Sequence, residues 1–382
     1  MSDSFIPSDG PFLLWAAMLL VVAGGMLAER TALGRRVSGA IVVLFAATLL
    51  SNLRVLPMSA PAYDVVWSSG VPIAVALLLF RADLRRILSE SGRVLLAFSI
   101  GAAGTIAGAL LGFALLPLGE HGADLVGVFS ATYIGGSMNF AAVAQATGFD
   151  QSALLSAAVA ADNVAGTAFL MLIVLMPTIG FVGRYFTVAS PEVLGANDEP
   201  PGPEEEAPSR MPLGTSIAAA LALALTICAA SRALAPLLGG AQFLILVVTV
   251  LTVAAATAAP RIVGRLRGAE EVGFLLMYLF FVVIGAQADI LEMIEKGLVL
   301  FAFAGVIVLV HLVVLLAAGR IARLELSEML VGSNACVLGP ATAAAMAGAL
   351  GWRGLVTPGI LTGTLGYVIA NFIGVFLAGV LR

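Results

Sequence analysis

Two stretches of this chain are more polar and glycine-rich than their apolar surroundings. They are TYIGGSMNFAAVAQATG (Thr132–Gly148) and GSNACVLGPATAAAMAGALG (Gly332–Gly351). At an offset of 203 residues they share Gly136/Gly339, Ala141/Ala344, Ala142/Ala345, Ala144/Ala347, Ala146/Ala349 and Gly148/Gly351. Non-helical backbone at membrane depth is tolerated only where protein buries it or a watery cavity meets it. A matched pair of Gly/Pro-interrupted apolar segments is the sequence mark of a transporter's binding site.

The surroundings require a membrane. Hydrophobic residues make up 60% of the 382 positions and charged residues 11%, against about a quarter charged in soluble domains. Ten further apolar segments read as spans. In the first half they centre on Pro11–Leu27, Ser38–Leu53, Val65–Phe80, Val94–Leu116 and Ala153–Met176. In the second they centre on Thr215–Ala230, Phe243–Ala258, Val272–Ala286, Leu298–Ala318 and Leu355–Val380. The acidic opening MSDSFIPSDG has no basic n-region, so the first segment is expected to stay as a helix. No basic patch points to nucleic acid. Two cysteines and two histidines, all dispersed, form neither a disulfide framework nor a sequence-evident metal site.

Charge bias separates two topologies. If each glycine-rich segment returns to the side it came from, Arg81, Arg85, Arg86 and Arg93 share the cytoplasmic side with Arg261, Arg265 and Arg267. If each crosses fully, the two clusters fall on opposite sides. The positive-inside rule selects the first. The expected fold is therefore an all-α polytopic membrane protein of two inverted repeats, each five transmembrane helices plus a re-entrant hairpin. Residues 1–185 form the first repeat (hairpin 123–148) and 213–382 the second (hairpin 326–351), joined by a disordered, acidic, cytoplasmic linker at 186–212. The N-terminus then lies outside. A hairpin arm of about eleven residues reaches about half of a ~30 Å hydrocarbon core, so the tips at Gly136 and Gly339 should meet near the midplane.

At such tips glycine permits reversal and close approach, and Pro340 starts a new helix. Arms beginning at Ser137 and Pro340 aim helix N-termini at the centre, where they suit an anion. Ser137, Asn139, Thr342, Ser333 and Asn334 add hydroxyl and amide oxygens for a solute or Na⁺. Asp162, beside Asn163, is an intramembrane carboxylate with no basic residue in its own span, so a cation is its natural partner. Its counterpart region in the second half holds Leu365, Tyr367 and Asn371. His311 reads as a neutral histidine bonded inside the bundle.

YIGGSMNFAAVAQATG, AADNVAGT, YLFFVVIGAQADI and SNACVLGPATAAAMAGALGW together resemble the YjcL-like family, a domain-of-unknown-function family of bacterial and plastid membrane proteins. The likeness covers nearly the whole chain outside the linker. The family is distantly similar to sodium-coupled glutamate and citrate symporters and to cation/proton antiporters. The symporter likeness implies one tip at Gly135, Gly136, Ser137 and Asn139 and another at Gly339, Pro340, Ala341 and Thr342, carrying solute and sodium. The antiporter likeness implies an ion-carrying acidic pair, of which Asp162 keeps one member and Asn163 replaces the other.

The expected function is secondary active transport of a small anionic organic solute, coupled to Na⁺ or H⁺, by an elevator-like alternating-access mechanism. Substrate binding is expected at Gly135, Gly136, Ser137, Asn139, Gly339, Pro340, Thr342 and Asn334, and ion coupling at Asp162, Asn163, Ser333 and Asn371. The alternative is a cation/proton antiporter using Asp162. A remote one is an intramembrane serine hydrolase with Ser137 as nucleophile, which would need a base within reach. No catalytic residues, no cofactor and no metal beyond Na⁺ are expected. The expected partners are the solute, membrane lipid and, by analogy, a second copy through a scaffold formed by the first two spans of each half. The expected location is a bacterial cytoplasmic (inner) membrane.

Overall fold

The computed structural model describes residues 4–28, 30, 39–149, 152–179, 185–186, 211–238, 240, 243–288 and 290–382. The linker positions 187–210 and Asp289 lie outside the described residues. Among the described residues the regular structure is entirely helical. The first half runs α1 (Pro11–Ala28), α2 (Gly39–Asn52) and α3 (Pro61–Leu78). Then come the short α4 (Leu84–Glu90), α5 (Gly92–Leu115), the pair α6 (Gly122–Gly135) and α7 (Met138–Thr147), and α8 (Ser152–Leu175). The second half runs α9 (Leu213–Leu234), α10 (Leu244–Ala258), the short α11 (Pro260–Val263), here ahead of the third long helix, and α12 (Ala269–Ala286). It ends with α13 (Ile290–Ile321), the pair α14 (Leu326–Val337) and α15 (Pro340–Ala349), and α16 (Val356–Leu381).

Eight of these segments are long and apolar enough to cross a membrane, and α2 and α10 are shorter apolar helices. Each of the ten expected apolar segments holds a helix, eight of them of spanning length. The third begins earlier than its apolar run because Pro61 opens a helix at its first position. Local caps set other starts. The Asp83 side chain accepts from the Arg85 amide, 3.0 Å away, at the head of α4. Glu325 and Glu328 form a reciprocal capping box at the head of α14.

The helices sort into two groups by packing. α1, α2, α3, α9, α10 and α12 pack chiefly on one another; α5 to α8 pack with α13 to α16. The first group contains the third span of each half as well as the first two. At the heart of the second group, α5 and α13 cross in antiparallel fashion on glycines. A methyl on Gly104 would lie 3.0 Å from the His311 Cα, and one on Gly108 would lie 2.8 Å from the Ile307 Cα. Gly112 faces the Phe303 ring in the same way. Small residues let backbones approach where lipid provides no hydrophobic drive. Adding the 203-residue offset turns the Gly104–His311 contact into Ile307–Gly108, so the two contacts exchange.

Both broken pairs fold back on themselves. The ring of His121, just before α6, lies 5.5 Å from that of Phe149, just after α7. Arg382 donates to the Asp124 carboxylate in the first turn of α6 and, at 2.6 Å, to the carbonyl of Thr147 at the end of α7. In the second pair, Asn334 on α14 reaches Met346 on α15 at 3.3 Å, twelve residues on; one continuous helix would hold them about 18 Å apart. The start of α14 sits at the other end of the bundle, where Arg93 clamps Glu328 at 2.7 and 2.9 Å and donates to the Arg323 carbonyl.

The glycine crossing makes a prediction. Gly108→Val should destabilise the protein by about 1–3 kcal/mol through overpacking against a backbone that cannot retreat. Gly24→Ala, with nothing within 4 Å of its added methyl, should be nearly neutral. Thermal unfolding in detergent compares the two.

Candidate functional site

The two breaks meet. Gly136 has φ 82° and ψ 168°, and Gly339 has φ 92° and ψ −176°. That shared conformation is essentially restricted to glycine. A methyl on Gly136 would lie 3.4 Å from the Leu338 carbonyl and 3.6 Å from the Gly339 Cα. The Cys336 thiol donates to the carbonyl of Tyr133, its counterpart at the 203 offset, at 3.2 Å. α7 and α15 both begin at this meeting point, α15 with Pro340 at its first position. α16 closes over both tips. Methyls on Gly135 and Gly363 would come within 2.6 Å of the Gly366 carbonyl and the Pro340 nitrogen, respectively.

Asp162 is 4% exposed in α8 and turns its carboxylate to the first break. Ser137 donates to Oδ2 at 3.0 Å and Thr132 donates to the same oxygen at 3.4 Å. The buried Tyr133 hydroxyl lies close to the same carboxylate. Among the described residues no basic side chain pairs with Asp162. The carboxylate is therefore held by hydroxyls alone, from residues on either side of the glycine break.

The other expected residues divide between this cluster and its flanks. Asn139 donates to the Tyr367 carbonyl at 2.9 Å and to Asn371 Oδ1 at 2.8 Å, and its own Oδ1 is buried without a partner. Asn371 in turn donates to Thr249 on α10 at 3.3 Å. Thr342 donates to Asn334 Oδ1 at 2.7 Å and lies 3.0 Å from the Gly339 carbonyl, which fastens the second tip. Asn163 does not join Asp162: its amide donates to the Val159 carbonyl of its own helix at 2.8 Å. Ser333 lies away from the carboxylate and pairs with His311 Nε2 at 2.7 Å.

His311 links the two broken pairs. Its Nδ1 is 3.0 Å from the Thr105 hydroxyl, which is 3.2 Å from the Tyr133 carbonyl. One neutral tautomer satisfies every group: Ser333 donates to Nε2, Nδ1–H donates to Thr105, and Thr105 donates to the carbonyl. This places His311 as a bonded histidine inside the bundle.

Sequence reasoning missed Thr132 and Tyr133 beside Asp162, Thr105 beside His311, and Gln145, whose amide donates to the Trp67 carbonyl at 2.6 Å. The available signal was a polar residue every few positions in α6 and α7 within an otherwise apolar region.

A family profile described as "Protein of unknown function (DUF819)" matches residues 14–382. The chain belongs to this family. It is also 38% identical over 389 residues to "Uncharacterized membrane protein YjcL" of Bacillus subtilis (strain 168), covering 98% of each chain. With the apolar helices, this makes it a multi-pass membrane protein.

The break geometry is testable apart from function. Gly136→Ala puts a side chain into a conformation L-residues avoid, against the Leu338 carbonyl, and should lower stability by about 1–3 kcal/mol. Ser137→Ala, which removes one donor to a carboxylate with other hydroxyls nearby, should cost less. Paired detergent melts give the comparison.

Proposed function

We propose that this protein is a secondary active transporter working by alternating access, with the meeting point of the two broken helices as its solute site. The observation that carries this reading is a difference in burial between equivalent alanines. Ala142 on α7 is fully buried and Ala345, its counterpart at the 203 offset on α15, is exposed. α7 packs on α3, α10 and α12 of the first helix group, whereas α15 packs on α14 and α16 of its own group. Two near-equivalent elements in opposite environments are what an inverted-repeat transporter has in one of its two end states. Exchange of the two environments would give the other.

The repeats run 1–185 and 213–382 and are inverted, with α6–α7 and α14–α15 as re-entrant hairpins. The antiparallel α5–α13 crossing and the fold-back contacts support this. The orientation follows. Thr257, at the end of α10, receives the Leu84 amide at 3.2 Å and lies 3.4 Å from the Ala82 carbonyl. The segments bearing Arg81, Arg85, Arg86 and Arg261, Arg265, Arg267 therefore share one end of the bundle. By the positive-inside rule that end is cytoplasmic and the N-terminus is outside, in a bacterial cytoplasmic membrane.

The solute is small and anionic, received by the N-termini of α7 and α15. Asp162, ringed by hydroxyls and with no basic partner among the described residues, takes the coupling ion, Na⁺ or H⁺. Exchange of a cation for protons at Asp162 alone is the second reading, supported by the same unpaired carboxylate. Hydrolysis is not supported: Ser137 bonds Asp162, while His121 and His311 are engaged with Asp124 and with Ser333 and Thr105.

A thermal-shift screen of small organic anions, with and without Na⁺ and at several pH values, tests the proposal, since a ligand of the folded state stabilises it by mass action. A stabilising anion whose effect grows with Na⁺ or acid is expected. Asp162→Asn should fold, keep its melting temperature within a few degrees and lose the ion-dependent part of the shift. An unchanged ion dependence in that variant removes Asp162 from coupling. Cation-driven proton movement without any solute would favour the second reading.

A further inference from the structure

We infer that Gln145 is a one-sided latch that holds the first hairpin against α3 and biases the resting protein toward the state seen here; this rests on the alternating-access reading above. The latch begins with Pro72. Between Val66 and Gly70, α3 widens into a π-turn, and the Val71 amide bonds the Val66 carbonyl. In the α-helical pattern Val71 would serve the Trp67 carbonyl. In the π pattern the donor to Trp67 would come from residue 72, which is proline and has no N–H. The Trp67 carbonyl is thus left without a helical partner in an apolar bundle, where an unpaired carbonyl is costly.

Gln145 fills that vacancy from across the boundary between the two helix groups, donating to Trp67 at 2.6 Å. Its own Oε1 is buried with no partner, so the amide makes this one bond among the described residues. Trp67 is fixed in turn by its ring, 5.3 Å from that of Phe280 on α12. Release of α7 from α3 would leave a carbonyl and an amide both unsatisfied until water reached them.

The second half has no equivalent. The counterpart of Gln145 is Gly348, and α12, which takes the place of α3, contains no proline over Ala269–Ala286. Three other side-chain hydrogen bonds join helices of the two groups among the described residues: Ser156 to the Ile284 carbonyl at 2.7 Å, Asn371 to Thr249 at 3.3 Å, and the Ile290 amide to Asn52 Oδ1 at 3.4 Å. The side chains of Ser156, Asn371 and Asn52 have Gly359, Ala168 and Ala255 at the offset positions. When the hairpins exchange environments, these bonds break and the opposite repeat has no side chains to replace them. The resting equilibrium therefore favours the docked first hairpin, and solute or ion binding must work against that bias.

Ala142 lies one turn before Gln145 on the same helix face. The test is the maleimide labelling rate of Ala142→Cys and, separately, Ala345→Cys in membranes, in a Cys228→Ser, Cys336→Ser background. Gln145→Ala should raise the Ala142→Cys rate by up to about fivefold, the weight of one neutral hydrogen bond, and lower the Ala345→Cys rate by a smaller factor, because the docked state starts as the majority. Pro72→Ala, which restores a donor for Trp67 without altering α7, should do the same. If both variants leave the rates unchanged while Na⁺ or pH moves them in opposite senses, the latch is wrong and alternating access stands. If the two rates never move in opposite senses under any condition, the latch and the reading beneath it both fail.

Discussion

A helix broken inside an apolar bundle must place its freed carbonyls and amides somewhere, and most of this structure answers that requirement. Gly136 and Gly339 supply the same glycine-only turn. Each break is then covered by the other, by α16 and by side chains from neighbouring helices. The Tyr133 carbonyl, in the last turn of α6, receives Thr105 and Cys336. The amides at the start of α7 and α15 open onto the same region, next to the hydroxyl-held carboxylate of Asp162. The polar centre is thus a consequence of how the backbone is interrupted, and it is this centre that we propose receives a solute and its coupling ion.

Packing around this centre joins rigidity to mobility. Glycines on α5 bring α13 close enough for His311 to bridge the two broken pairs, so the tips are tied within one helix group. Between the groups the side-chain hydrogen bonds among the described residues are few, and the side chains that make them are not matched at the offset positions. Under the proposed alternating-access reading, such a boundary slides with the exposure of few polar atoms and keeps a preferred side because the ties are unequal.

Much of this was legible in the sequence. Ten apolar runs marked ten helices, with α3 longer at its start because of Pro61. The glycine pairs marked the breaks to the residue, since few other residues accept that backbone. Asp162 was legible because an unpaired carboxylate stands out in an apolar helix, and Ser137 joined it as the first polar residue after a break. Thr132, Tyr133 and Thr105 were not, because hydroxyls in apolar helices usually bond their own backbone, and only the fold-back of α6 on α7 turns Thr132 toward Asp162. Asn163 and Ser333 read as ion ligands by proximity in sequence, yet their helix faces send them to Val159 and His311. The unequal docking of α7 and α15 was illegible in motifs that are almost alike; it hides in single differences such as Gln145 against Gly348.

The central claim is that two helical hairpins enter the membrane from opposite faces and touch at their glycine tips. Sidedness of single cysteines at the hairpin mouths tests it most directly, using a membrane-impermeant maleimide on intact cells and on inverted vesicles. The account predicts that His121→Cys and Thr147→Cys label from one face, and Glu325→Cys and Arg353→Cys from the other. Labelling of His121→Cys and Thr147→Cys from opposite faces would contradict it.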